Sequence, residues 1–170
     1  MKKHTGIILL AALLFSAQAQ AGKPQVLGEY GDWMAYHFHD GKGNVCYMVS
    51  KPTKDEGKYS KRGDIYVVVT HRPADKSFDV VNFDAGYTFK SGAPLVVKIG
   101  HNTVTSFFTE GTKAWTINEE ADKKMVALMK GGDRMIVDGV SSRGTKTKDT
   151  YSLKGFTGAY KAISAKCGKK

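Results

Sequence analysis

Short runs of β-branched and aromatic residues, each closed by a glycine-bearing turn, succeed one another through most of this chain. That grain restricts the fold to antiparallel sheet, as a sandwich or a barrel. Alternation puts Trp33, Ala35 and His37 on one face of a strand over 32–39, with Met34, Tyr36 and Phe38 on the other. Asp40-Gly41-Lys42-Gly43-Asn44 turns this strand into a second, over 45–49, where Cys46 and Met48 share a face. The most continuous β-branched run, over 65–70, predicts a central strand ended by Arg72-Pro73-Ala74-Asp75. Further strands are expected over 78–83, through Leu95, Val97 and Ile99, over 103–109 as one piece, over 113–117, at 135–137, and as a short strand holding Tyr151 and Leu153. Residues 22–31 read as a leader into the first strand, 51–62 as an exposed loop, and 141–149 as a turn-rich segment.

Two helices complete the pattern. Asn118 is placed to cap the first, Glu119, Glu120 and Asp122 occupy its first turn, and Ala121, Met125, Leu128 and Met129 form its apolar stripe before Gly131. Near the C-terminus Ser152 is the expected N-cap of a helix on which Phe156, Ala159, Tyr160, Ile163 and Cys167 recur at spacings of three and four. Gly168 is its stop signal, and Lys166, Lys169 and Lys170 put positive charge at the negative end of its dipole.

The first 21 residues have the order of a secretory signal peptide: Lys2 and Lys3, an apolar run over 7–15, then Ala19-Gln20-Ala21 as a small-x-small cleavage site. The run is shorter than the roughly 20 residues that a membrane span needs, so cleavage before Gly22 is expected, with no transmembrane segment afterwards. Residues 22–170 then form a single domain. The formal net charge of +10 falls to +8 once Lys2 and Lys3 are removed, which favours anionic surfaces as partners without requiring them. The two cysteines, Cys46 and Cys167, both lie in the exported portion. Export and an even count predict one disulfide, the alternative being two buried thiols.

Signals for chemistry are sparse. His37 and His39 sit at i and i+2 on a strand, so two imidazoles on one face could share a cation, and a small periplasmic metal-binding protein is one alternative. Ser141-Ser142-Arg143-Gly144 suggests a hydrolase nucleophile or an anion site, against the simpler reading of a hairpin loop whose hydroxyls bond their own backbone. The 51–62 segment carries a net charge of +3, and Lys58, Lys61 and Arg62 there, with Ser141, Ser142 and Arg143, are the candidate interaction residues. Phosphate-loop, dinucleotide and zinc-protease motifs are missing, and the basic residues lack the aromatic interleaving of a nucleic-acid platform. No cofactor, catalytic residue or nucleic-acid partner is expected.

Several short motifs occur in a specific order: Gly31-Asp32-Trp33, Val45-Cys46 leading to Ser50-Lys51-Pro52, Arg72-Pro73-Ala74, Gly86-Tyr87 with Phe89-Lys90, Ala114-Trp115, Ser141-Ser142-Arg143-Gly144-Thr145, and the run from Asp149 to Phe156. Together they resemble the invasion-associated locus B (IalB) family over essentially the whole mature chain. The resemblance implies an exported envelope or periplasmic protein of Gram-negative bacteria with an immunoglobulin-like β-sandwich. It implies no enzymatic activity and no catalytic residues, and an association with host-cell entry through an envelope or host partner.

Overall fold

Two antiparallel sheets take up the strand pattern. The computed structural model describes residues 22–169, so the expected signal peptide and Lys170 lie outside the described residues. In chain order the elements are β1 (Gln25–Tyr30), β2 (Trp33–His39), β3 (Asn44–Ser50), β4 (Lys54–Gly57), β5 (Tyr66–Arg72), β6 (Ser77–Asp84), β7 (Val96–Ile99), β8 (Asn102–Val104), β9 (Phe107–Glu110), β10 (Lys113–Thr116), α1 (Glu119–Gly131), β11 (Arg134–Val140), β12 (Lys146–Ser152) and α2 (Phe156–Lys166). One sheet has seven strands in the order β1-β2-β3-β5-β6-β10-β9, the other five in the order β4-β12-β11-β7-β8. Among the described residues no helix is long and apolar enough to cross a membrane.

The period of two expected from the sequence governs burial. Trp33 and Ala35 on β2, Cys46 and Met48 on β3, Val67 and Val69 on β5, and Val81 and Phe83 on β6 all point into one core. Val97, Ile99, Met135, Val137 and Tyr151 enter that core from the five-stranded sheet, giving the two-layer sandwich. Both helices pack on the seven-stranded sheet, α1 against β6 and β10 and α2 against β1, β2 and β3. Asn118 Oδ1 accepts from the Ala121 N–H at 2.9 Å, as a helix N-cap should.

The stripe of α1 is rotated from the expected one. Asp122, Met125, Val126 and Met129 are buried, while Ala121 and Leu128 lie at its margins. A carboxylate can occupy that face because it accepts from the Val81 N–H at 2.8 Å and from the Thr116 hydroxyl. Burial nonetheless raises its pKa. Four other expectations are corrected. Residues 22–31 are not a leader, since 25–30 form β1 against β2, with a register shift between Val26 and Gly28. The expected strand over 103–109 is two strands on different sheets, β8 beside β7 and β9 beside β10, and the alternation breaks between them, since Val104 and Phe107 both pack against the core while Phe108 is exposed. The 51–62 loop contains β4, which pairs with β12 through backbone groups whatever its polar side chains. The turn after β11 is confined to 141–145, because β12 starts at Lys146 and pairs with β11 as far as Ser152.

Ser152 therefore belongs to a strand, and Gly155 takes the N-cap position of α2 with φ of 90°. Side-chain capping gives way here to a close fit between two turns. Asp32 N–H donates to Lys154 C=O at 3.1 Å, and Trp33 Nε1 donates to Ser152 C=O at 3.1 Å. The Trp33 ring meets Phe156 edge-on with centroids 4.9 Å apart. A Cβ on Gly155 would collide with Tyr30 C=O, and one on Gly31 would lie 2.7 Å from Lys154 C=O. Two motifs far apart in the sequence, Gly31-Asp32-Trp33 and Lys154-Gly155-Phe156, are thus one contact.

Cys46 and Cys167 are bridged, with their Cα atoms 6.0 Å apart, which replaces the two-thiol alternative. The bridge ties the end of α2 to β3, and in the chain-entropy account closing so long a loop contributes up to about 5 kcal/mol.

Gly144 and Gly155 provide a matched test, because both have positive φ but only Gly155 is crowded. Gly144→Ala should cost about 1–2 kcal/mol, the left-handed penalty alone. Gly155→Ala should cost clearly more, as read from urea denaturation midpoints. Equal losses would show that the close approach to Tyr30 contributes nothing.

Candidate functional site

Five of the six residues singled out as interaction candidates are exposed or lie on a turn, and the structure gathers all six around one cleft. The segment after β4 supplies Lys58, Lys61 and Arg62, the β11–β12 turn supplies Ser141, Ser142 and Arg143, and Gly86, Tyr87 and Thr88 close the third side. The cavity is about 470 Å³, within the size range of small-ligand sites. Among the described residues its lining contains no carboxylate and no histidine.

Arg62 is the exception among the six, and its expected role as a surface contact is corrected. Its side chain and that of Asp149 are each only 4% exposed. Nη1 and Nη2 donate to the two Asp149 oxygens at 2.7 and 2.6 Å, and Nε donates to Ala85 C=O at 2.7 Å. Burial pushes the Asp149 carboxyl upward from its ordinary range, and the guanidinium's two hydrogen bonds oppose that rise. The guanidinium also lies 5.3 Å from the Tyr59 ring centroid and 5.0 Å from that of Tyr87. Tyr59 OH donates to Asp55, and Tyr87 OH bonds Thr147 Oγ1 at 2.7 Å. Arg62 thus spends its charge on Asp149 and holds both tyrosines in place.

The remaining cations face outward. Lys58, Lys61 and Arg143 are exposed, and among the described residues none of them makes a salt bridge or a side-chain hydrogen bond. Ser141 is buried, and its Oγ accepts from the Thr145 N–H at 3.1 Å while its backbone C=O accepts from Gly144 N–H at 2.7 Å. That is the self-bonded turn expected as the simpler reading. Ser142 is anchored through its backbone N–H to Thr88 C=O at 2.7 Å, which leaves its side chain at the exposed rim.

His37 and His39 are engaged with their own hairpin. His37 Nε2 lies 3.0 Å from Asn44 Oδ1, and His39 Nδ1 accepts from the Gly41 N–H at 3.2 Å. Among the described residues no group of three or more His, Cys, Asp or Glu side chains could hold a metal ion.

His71 looks isolated in the sequence but forms a buried cluster beneath α2. Its Nδ1 accepts from the Asp79 N–H at 3.1 Å, so the ring proton is on Nε2 and is donated to Ser164 Oγ at 3.2 Å. Serine, histidine and aspartate here have the order of a catalytic triad but the opposite tautomer, and the imidazole is fully buried. Asp79, in the left-handed region at φ of 64°, accepts from Tyr160 OH at 2.7 Å and from the Lys169 ammonium. Lys130 on α1 lies 3.6 Å from the Tyr160 ring centroid. Lys169 therefore pairs with a specific carboxylate, beyond the dipole role expected of it. The sequence offered no cue, since His71 on β5 and Asp79 on β6 meet partners from α2 and the residues after it, about 80–100 positions away.

Asp149→Ala, which leaves the Arg62 charge unpaired, should cost about 3–5 kcal/mol. The double variant Arg62→Met with Asp149→Leu should recover most of that loss, both being read from urea denaturation. For His71, burial lowers the pKa from 6.5 to about 4. Between those values the unfolded chain binds the extra proton, so stability is full above about pH 6.5 and falls with acidification by up to about 1.4 kcal/mol per pH unit. Denaturation midpoints across this interval should flatten in His71→Gln. Parallel curves for the two proteins would assign the acid sensitivity elsewhere.

Comparison with known proteins agrees with the motif order. No curated protein and no solved structure matches the chain. A model of the family described as invasion associated locus B (IalB) protein matches residues 33–164. That span contains Trp33 and the turn at 154–156, every wall of the cleft, and His71, Asp79, Tyr160 and Ser164. The chain belongs to the invasion-associated locus B family.

Proposed function

We propose that this protein is an exported, non-catalytic interaction module of the Gram-negative cell envelope that docks onto an anionic surface through the cleft between the 58–63 segment and the β11–β12 turn. One observation carries the reading: Lys58 and Lys61 from the segment after β4 and Arg143 from the β11–β12 turn meet at the rim of one concave site without acidic neighbours in its lining. Such an arrangement focuses positive potential and attracts anions more strongly than the same charges scattered over a surface. The leader over 1–21 supports export. The use of the Ser141 hydroxyl within its own turn supports a binding role over a hydrolytic one. The family's name connects its members with invasion, and contact with a host surface is the setting that this reading suggests.

The test is sedimentation of the mature chain with outer-membrane vesicles from a Gram-negative bacterium. Binding should weaken as salt rises through the range where the Debye length falls below about 10 Å. It should also drop about tenfold or more in Lys58→Ala/Lys61→Ala/Arg143→Ala. Unchanged binding by that variant, or no binding by the unaltered chain, would overturn the proposal.

A further inference from the structure

We propose that the cleft is a binding site for an acidic saccharide, a sugar chain carrying phosphate, sulfate or carboxylate groups. This rests on the reading of the cleft as an anion-docking site and narrows it to one ligand chemistry.

Three features of the walls select a sugar over other anions. The first is the balance of cations and hydroxyls. Between Lys58, Lys61 and Arg143 the lining is completed by Ser60, Thr88 and Thr145, short hydroxyl side chains that both donate and accept. A saccharide has the matching pattern, with alternating hydroxyls between its charged groups. A simple inorganic anion would leave most of a 470 Å³ cavity unfilled.

The second feature is rigidity. Tyr59 and Tyr87 are amphipathic side chains, each with an apolar ring and a polar tip. Their hydroxyls are fixed by Asp55 and Thr147, and their rings by Arg62. Arg62 is in turn fixed by Asp149 and Ala85 C=O. Gly139 on β11 leaves the space in which the Tyr87 hydroxyl sits, since a Cβ there would collide with it. The rings are therefore preorganised before any ligand arrives, which reduces the ordering cost of binding. Two tyrosine rings bordering a hydroxyl-rich cavity suit the flat apolar faces of pyranose rings.

The third feature separates a saccharide from a lipid surface. Docking on a bilayer needs apolar side chains that enter the headgroup region beside the cations. Among the described residues the large hydrophobic side chains that are well exposed are Val26, Phe108 and Ile117, and none of them lines the cleft. Val26 and Phe108 lie on β1 and β9, the two edge strands of the seven-stranded sheet, and Ile117 directly follows β10. The cations and the exposed apolar groups are thus not arranged as one membrane-facing surface.

Calorimetric titration of the mature chain tests this with defined probes. A heparin-derived hexasaccharide stands for sulfated host glycans, and the deacylated phosphorylated inner core of lipopolysaccharide stands for bacterial ones. Maltohexaose serves as the uncharged sugar, and polyvinyl sulfate of matched charge as the sugar-free polyanion. At least one acidic saccharide should bind, and whichever binds names the source. Its Kd should rise tenfold or more in Lys58→Ala/Lys61→Ala/Arg143→Ala. It should stay within about twofold in Lys124→Ala/Lys161→Ala/Lys166→Ala, which removes the same charge from the exposed faces of α1 and α2. Maltohexaose should not bind. Equal losses in the two triple variants, or equally tight binding of polyvinyl sulfate, would overturn the saccharide assignment and leave only charge. Binding to outer-membrane vesicles without binding to either acidic saccharide would overturn this inference while the docking function stands. Failure of both would overturn both.

Discussion

The fold depends on a contact between two turns with no side chain between them. At Gly31 and Gly155 the backbone of the β1–β2 turn rests against the backbone that enters α2. Trp33 seals the junction from below through its hydrogen bond to Ser152 and its ring contact with Phe156. This fixes the end of the five-stranded sheet, the start of the last helix and the edge of the seven-stranded sheet relative to one another. The sandwich is otherwise assembled from apolar faces, which are strongly attractive but weakly directional. Two crossed backbones supply the position that hydrophobic burial leaves open.

Buried polar groups do similar work elsewhere. Asp122 fastens α1 to β6 and β10, Asp79 gathers Tyr160 and Lys169 beneath α2, and Asp149 holds Arg62 under the cleft. Each carboxylate has its partners in place, which is the condition for tolerating such a group in a core. Arg62 shows how a structural ion pair can serve a surface: its own charge is neutralised by Asp149, yet it orders the two tyrosines that border an electropositive opening. The charge offered to solvent comes from its neighbours.

Where one face of a strand is apolar, the sequence was a reliable guide. β2, β3, β5, β6 and β11 lie close to the expected positions, and on β2 and β3 the faces carrying Trp33 with Ala35 and Cys46 with Met48 are the buried ones. It was a poor guide to strands whose place is set by backbone pairing. β4 is Lys-Asp-Glu-Gly and β1 is largely exposed, so neither carries the alternation that marks a buried face. The crossover between β8 and β9 was hidden for another reason, since only Thr105 and Ser106 separate two β-rich runs, with no glycine or proline to mark the change of sheet. In the candidate site the turn and the lysines were legible as charge and hydroxyl content. Their meeting was not, because it depends on β4 pairing with β12. Arg62 was read as a surface charge because its partner lies 87 residues away, and nothing local to an arginine reveals a distant carboxylate.

The Cys46–Cys167 bridge has a consequence in time as well as in space. Its partners are 121 residues apart, and synthesis at about 5–20 residues per second separates their appearance by roughly 6–24 s. Throughout that interval the first thiol has no partner in its own chain. With only two cysteines, the protein cannot scramble its own disulfide, and no isomerase is needed to correct one. Its exposure is instead to other molecules, through mixed disulfides with neighbours or small thiols. Maturation of this sandwich is therefore a race between the arrival of its last helix and capture of a lone sulfur by a stranger.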